Sequence, residues 1–169
     1  MAATCIRPAA PEDFARLAEI ERAAAARFDP QDLPPALADD ALPRDELAAA
    51  HAAGLLWVAA DADGTHGFLL ARRYDDSLHL QEMDVCPRRQ GQGLGSALIA
   101  HAETAAHRLG LRRLTLTTFE HLAWNAPYYY KRGFLRLDAA DCPLFLLALL
   151  RAEAQHGLKR RVAMHKPLF

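Results

Sequence analysis

The sequence predicts an α/β protein organised as one domain over residues 1–169. Three observations carry this. The chain is long enough for one central sheet covered by helices. Strand-like runs alternate along it with segments whose apolar residues recur at helical spacing. No repeat, low-complexity tract or linker divides it.

Thr4 to Arg7 reads as a short strand. Pro11-Glu12-Asp13 then opens a helix, with proline in the first turn and acids at its positive end. Phe14, Leu17, Ile20 and Ala24 form the apolar stripe behind it. Asp29 to Pro43 holds four prolines and reads as loop with one helical turn at most. Asp45 to Ala53 is a second helix closed by Gly54, and Leu55 to Ala60 is a strand. Asp61-Ala62-Asp63-Gly64 is turn chemistry, and Gly67 to Tyr74 returns as the other arm of a hairpin. Leu78 to Cys86 is the next strand, ended by Pro87. Leu94, Leu98, Ala102, Ala105 and Leu109 make a helical stripe that stops at Gly110. Arg113 to Phe119 is a strand, and Trp124 to Arg132 a short helix capped by Asn125 and ended by Gly133. Phe134 to Leu137, Pro143 to His156 and Arg160 to Lys166 complete the chain as strand, helix and strand.

Composition narrows the function classes. Half of the residues are hydrophobic and a quarter charged, which is ordinary for a globular protein. A formal charge of −1 argues against a nucleic-acid binder, which would carry a basic excess. Cys5, Cys86 and Cys142 are odd in number and far apart, so they suggest neither a disulfide framework nor a zinc ribbon. The eight histidines show no HExxH spacing, and no metal is expected. The N-terminal residues do not read as a signal peptide. Leu144 to Leu150 is apolar but far shorter than the ~20 residues a bilayer span needs. A cytoplasmic protein without a membrane partner is the expectation. Core, substrate wall and homodimer contact are the readings open for that apolar run.

The informative segment is Val85 to Ser96, between a strand and an amphipathic helix. Gly91, Gly93 and Gly95 remove the side chains that would hold a ligand off the backbone. The amides of such a loop, with those of the first helical turn, suit a pyrophosphate. Arg88, Arg89 and Gln90 are candidate side-chain donors. No Lys-Ser or Lys-Thr follows, which excludes a Walker A loop. The loop follows a hairpin mid-chain, unlike a dinucleotide fold, where it follows the first strand. A tight turn that binds nothing is the plain alternative.

Gln90-Gly91-Gln92-Gly93-Leu94-Gly95 resembles the Gln/Arg-x-x-Gly-x-Gly/Ala signature of the GNAT (GCN5-related N-acetyltransferase) superfamily. Val85-x-Pro87 resembles that family's usual end of the fourth strand, and Tyr129 to Phe134 its Tyr-x-x-x-Gly-Phe helix. The resemblance covers nearly the whole chain. It implies the GNAT acyl-CoA N-acyltransferase fold, a central mixed, mostly antiparallel sheet with helices on both faces. It also implies acetyl-CoA as co-substrate and a small-molecule or peptide amine as acceptor. Coenzyme contacts fall by resemblance on the strand backbone at Met83, Asp84 and Val85, and on Gln90, Gly91, Gln92, Gly93, Leu94, Gly95 and Ser96. Leu122 stands where many members carry asparagine, so Asn125 is expected to make that contact instead.

The chemistry asks for a base, an oxyanion site and an acid. An alkylamine has a pKa near ~10 and must lose a proton before it attacks. By resemblance the Met83–Val85 amides polarise the thioester carbonyl. Tyr129 is the residue the resemblance assigns as acid to the leaving thiolate, over its neighbours Tyr128 and Tyr130. For the base, His79, Glu82 and Glu120 stay open; Gln81 cannot take a proton usefully. Strand alternation groups His79 with Gln81 and Glu82 with Leu80, while a bulge would turn Glu82 or Asp84 into the cleft. An ion pair with a nearby arginine is the plain reading of Glu82. An acyl-CoA-binding regulatory module without catalysis is the alternative from another class.

Overall fold

The computed structural model describes residues 3–169. Among them the strands are β1 (Cys5–Pro8), β2 (Leu56–Asp61), β3 (Gly64–Tyr74), β4 (Ser77–Val85), β5 (Arg113–Phe119), β6 (Leu135–Arg136) and β7 (Arg161–Pro167). The helices are α1 (Phe14–Ala25), α2 (Pro35–Ala38), α3 (Arg44–Ala52), α4 (Leu94–Arg108), α5 (Ala126–Tyr130) and α6 (Leu144–Gln155). The strand order is β1-β2-β3-β4-β5-β7-β6. Pairing is antiparallel in β1–β2, β2–β3, β5–β7 and β6–β7, and parallel in β4–β5. This is the mixed, mostly antiparallel sheet with helices that the resemblance implies. The chain forms two compact units: the segments up to Arg72 and Leu80–Thr104 make one, and Arg73–His79 with Ala105–Phe169 the other.

In the first unit the stripe expected on α1 is the face that is buried. Phe14, Leu17 and Ile20 pack with Leu47 and Ala50 of α3 and with Leu56, Val58, Ala60, Phe68 and Leu70 of the β2–β3 hairpin. Alternate strand positions supply the sheet side of this core, as period-two geometry requires. Pro11–Asp13 opens α1 as a 3₁₀ turn. Asp13 secures it, accepting from the Ala10 amide at 2.8 Å and both guanidinium nitrogens of Arg7 at 2.8 and 3.0 Å. The proline-rich loop contains one helical turn, α2. β3 begins at Gly64, three residues earlier than expected, because the ladder reaches Asp61 opposite Gly64. A register shift falls between Ala59 and Ala60.

In the second unit β4 and β5 pair from Ser77–Arg113 to His79–Thr115, and β5 runs antiparallel to the whole of β7. The apolar run on α6 divides by face. Leu146 is fully buried with Cys142 and Ala163, whereas Leu144 is 85% exposed. Two expectations are corrected. The helix after β5 is shorter than Trp124–Arg132, and Asn125 does not cap it through its side chain. Its Oδ1 instead accepts from the Thr118 hydroxyl at 2.8 Å and the Phe119 amide at 3.5 Å, turning back towards β5. β6 shrinks to Leu135–Arg136, since Phe134 is withdrawn into the interior. No helix among the described residues is long and apolar enough to cross a membrane.

Candidate active site

The glycine loop has the geometry its composition demands. Gly91 and Gly93 sit at φ +74° and +84°, in the left-handed region that favours glycine. A side chain at either position would meet open space, so the backbone there is approachable. α4 starts directly after Gly93, whose carbonyl accepts from the Ala97 amide at 3.0 Å. The first turn of a fifteen-residue helix adjoins the same loop, and helix heads of this kind present amides suited to an anion.

The loop is braced from behind. Asp61 is 3% exposed and takes hydrogen bonds on both oxygens. Its Oδ1 pairs with His66 Nε2 at 2.7 Å and accepts from the Asp63 amide at 2.9 Å, while Arg89 donates to Oδ2 at 2.7 Å. The His66 and Arg89 hydrogen bonds pull the Asp61 carboxyl below its ordinary range. Arg89 also donates to Gln92 Oε1 at 3.1 Å. Gln90 donates to the Val85 carbonyl at 3.0 Å and accepts from Arg27. Arg89, a candidate phosphate donor in the sequence, is thus engaged in holding the loop's shape. Gly67 lets β3 approach β4 here, since a Cβ on it would stand 3.0 Å from the Asp84 carbonyl oxygen.

The carboxyls of β4 lie in a different setting. Glu82 and Asp84 share a hydrogen bond, and Glu21 of α1 acts on both by charge. Asp84 Oδ2 is closed to solvent and has no hydrogen-bond partner. Burial, then the charge of Glu82, push the Asp84 carboxyl well above its ordinary value. Burial, then Glu82, raise Glu21 to about 7, although the Leu42 amide donates to it at 2.9 Å. Glu46 on α3 accepts from Gln81 at 2.9 Å and lies 3.6 Å from Arg72. Glu21 carried no sequence signal. It is one of several acids on α1, and only folding brings that helix against β4.

In the second unit the other candidates separate. His79 is 4% exposed, with Nδ1 3.0 Å from Thr115 Oγ1 and edge-on contacts to Tyr74 and Phe145. Glu120 pairs with Arg136 at 2.6 Å on the surface. Tyr128 lies 3.4 Å beneath the Arg132 guanidinium, and Tyr130 is 47% exposed. Tyr129 is half-buried, edge-to-face with Phe134 at 5.5 Å. A separate recess is lined by Arg136, Leu137, Cys142, Leu150 and Arg161, none of them a predicted site residue. Among the described residues no three His, Cys, Asp or Glu side chains are arranged to hold a metal ion.

The family model of the acetyltransferase (GNAT) domain matches residues 52–136, just over half of the chain. The chain belongs to this family. Among solved structures it is similar to the N-acetylglutamate synthase of Neisseria gonorrhoeae, solved with coenzyme A and N-acetyl-glutamate. The TM-score is 0.75 at 16% identity, over 100% of this chain and 36% of that one. The PaiA N-acetyltransferase of Thermoplasma acidophilum, in complex with coenzyme A, gives 0.74 at 17% identity over 98% of this chain and 99% of that one. The ribosomal-protein-S18-alanine N-acetyltransferase of Escherichia coli gives 0.70 at 19%, over 98% and 94%. The chain thus spans about a third of the synthase and nearly all of the other two. At these identities the likeness is one of fold.

Proposed function

We propose that the chain transfers an acetyl group from acetyl-CoA to a primary amine of a small molecule or peptide. The observation that carries this reading is the glycine loop. Two residues in left-handed conformation leave the backbone open at the head of α4, and Asp61 and Arg89 hold that shape. Such a loop suits a pyrophosphate. The strand backbone at Met83–Val85 would take the pantetheine arm by family resemblance, its amides polarising the thioester carbonyl.

The reaction needs a proton removed and a proton supplied. Glu82 takes one proton from the ammonium, and the amine nitrogen attacks the acetyl carbon. The C–N bond forms, the oxyanion collapses, and the C–S bond breaks as the nitrogen sheds its second proton. Tyr129 protonates the thiolate and recovers its proton from solvent, so one proton is released per turnover. The buried, Thr115-bound setting of His79 and the surface ion pair of Glu120 favour Glu82 as base. The engagement of Tyr128 by Arg132 and the exposure of Tyr130 favour Tyr129 as acid.

Gly93→Ala tests the loop. The left-handed backbone costs an alanine about 1–2 kcal/mol, and its methyl group enters the space open to the pyrophosphate. Gly110→Ala is the control, since Gly110 has φ +68° and open space around it as well. Calorimetry should show coenzyme A affinity falling about tenfold or more, roughly 1.4 kcal/mol, in Gly93→Ala alone. Equal affinities in the two variants would remove the loop from the cofactor site. Thiol release from acetyl-CoA across a panel of alkylamines, polyamines, aminoglycosides and peptides then identifies the acceptor. Tight coenzyme A binding with no release on any amine would make the chain a binding module.

A further inference from the structure

Ionised carboxylates only accept hydrogen bonds. The contact between Glu82 and Asp84 is therefore a hydrogen bond only when one of the two holds a proton. Their placement is no accident of rotamer, because residues two apart on a strand share a face. Asp84 Oδ2, buried and without a partner, has no donor from the fold to keep it ionised. Glu21 approaches from α1 with its Oε2 fixed by the Leu42 amide. Charged groups near the set include Arg22 on α1, Glu46 on α3 and Arg72 on β3. Arg72 and Gln81 are engaged by Glu46, while Arg22 acts on Glu21 by charge alone.

We propose that Asp84 and Glu21 are positioning residues for Glu82, binding its carboxyl into a three-member set that shares a proton before the acceptor amine arrives. The proposal rests on the reading of Glu82 as base. It explains how a carboxylate does that work. A lone glutamate ionises near ~4.3 and an alkylammonium near ~10, a mismatch of about six decades in proton affinity. Burial and like charge lift Glu21 to about 7 and Asp84 upward as well, each by desolvation first. A carboxyl that shares a proton with such neighbours faces a smaller mismatch than a lone one, and proton transfer improves accordingly. The ammonium gives one proton to the set, the neutral amine attacks, and the set releases that proton to solvent after the C–S bond breaks.

The test is a carboxyl titration of the ligand-free 169-residue chain, labelled with ¹³C at Asp and Glu side-chain carbons and followed by NMR. Glu21 should titrate near pH 7 and Asp84 above the ordinary carboxylate range. Glu82→Gln, nearly isosteric, should weaken the proton affinity of both by tenfold or more. Glu21→Gln should weaken that of Asp84 in the same direction. Wild-type carboxyls of Glu21 and Asp84 both ionised by about pH 4.5, or unmoved in Glu82→Gln, overturn the shared proton and leave the base reading standing. Wild-type thiol release by Glu82→Gln on the amine panel overturns the base reading and this proposal together.

Discussion

Asp61 and Asp84 are the same residue, both at the ends of strands of the same compact unit, and the fold treats them in opposite ways. Asp61 has a hydrogen-bond partner for each oxygen, two of them cationic or able to become so. Asp84 has its Oδ2 buried and unmatched, beside two further acids. Burying a charge without partners is costly, so the group gives up the charge instead. The contrast separates two jobs. A satisfied carboxylate rigidifies the loop that would hold the coenzyme, and a starved one keeps a proton available on the strand that would border the thioester. Asp13, with Arg7, Thr65 and the Ala10 amide around it, belongs with Asp61.

The comparison can be broken most forcefully at the starved side. Glu82→Gln should lower turnover by about 10²–10⁴-fold, the range of a general base, with coenzyme A affinity unchanged. Stopped-flow thiol release and calorimetry on the same samples measure the two quantities. A fall in coenzyme affinity of the same size would instead tie Glu82 to the cofactor.

Asp61→Asn attacks the satisfied side. An amide cannot accept equally from His66 and Arg89, so the loop should lose its register. Coenzyme A affinity should drop by about tenfold, roughly 1.4 kcal/mol. The pH dependence of the rate should keep its shape, because the proton-sharing set is intact. A changed pH profile at full coenzyme affinity would show that the two regions are not separate devices.

The smallest effect concerns stability against pH. Glu21 is raised in the folded chain, so its contribution is full below the unfolded value near ~4.3 and is lost as pH climbs towards about 7. Asp61 and Asp13 are depressed, so theirs is present above the unfolded value near ~3.9 and is lost as pH falls below it. Denaturant melts of Glu21→Gln at pH 5 and pH 8 should therefore show a smaller decline between them than wild type. The difference should be of order 1 kcal/mol once solvent screening of a half-buried group is allowed for. An identical decline would place the Glu21 carboxyl at its ordinary ionisation.

Much of this was legible in the chain itself. The stripes on α1 and α4, the hairpin turn and the three-glycine loop follow from local chemistry: helical spacing, turn residues and the need for a left-handed backbone act within a few residues. The two signatures likewise carry the family without reference to contacts. Asn125 escaped this logic, because a capping residue is recognised by its type while the Thr118 hydroxyl that claims its Oδ1 comes from β5. The same holds for the site. Sequence reasoning named Glu82 and Asp84 as strand acids that a bulge would turn into the cleft, but nothing in it distinguished Glu21 from other acids of α1 or tied Arg89 to Asp61. Those pairings join residues 28 to 63 positions apart. Electrostatic environment depends on distance through space and on exclusion of water, and only the packing of α1 against β4 and of the hairpin behind the loop decided either one.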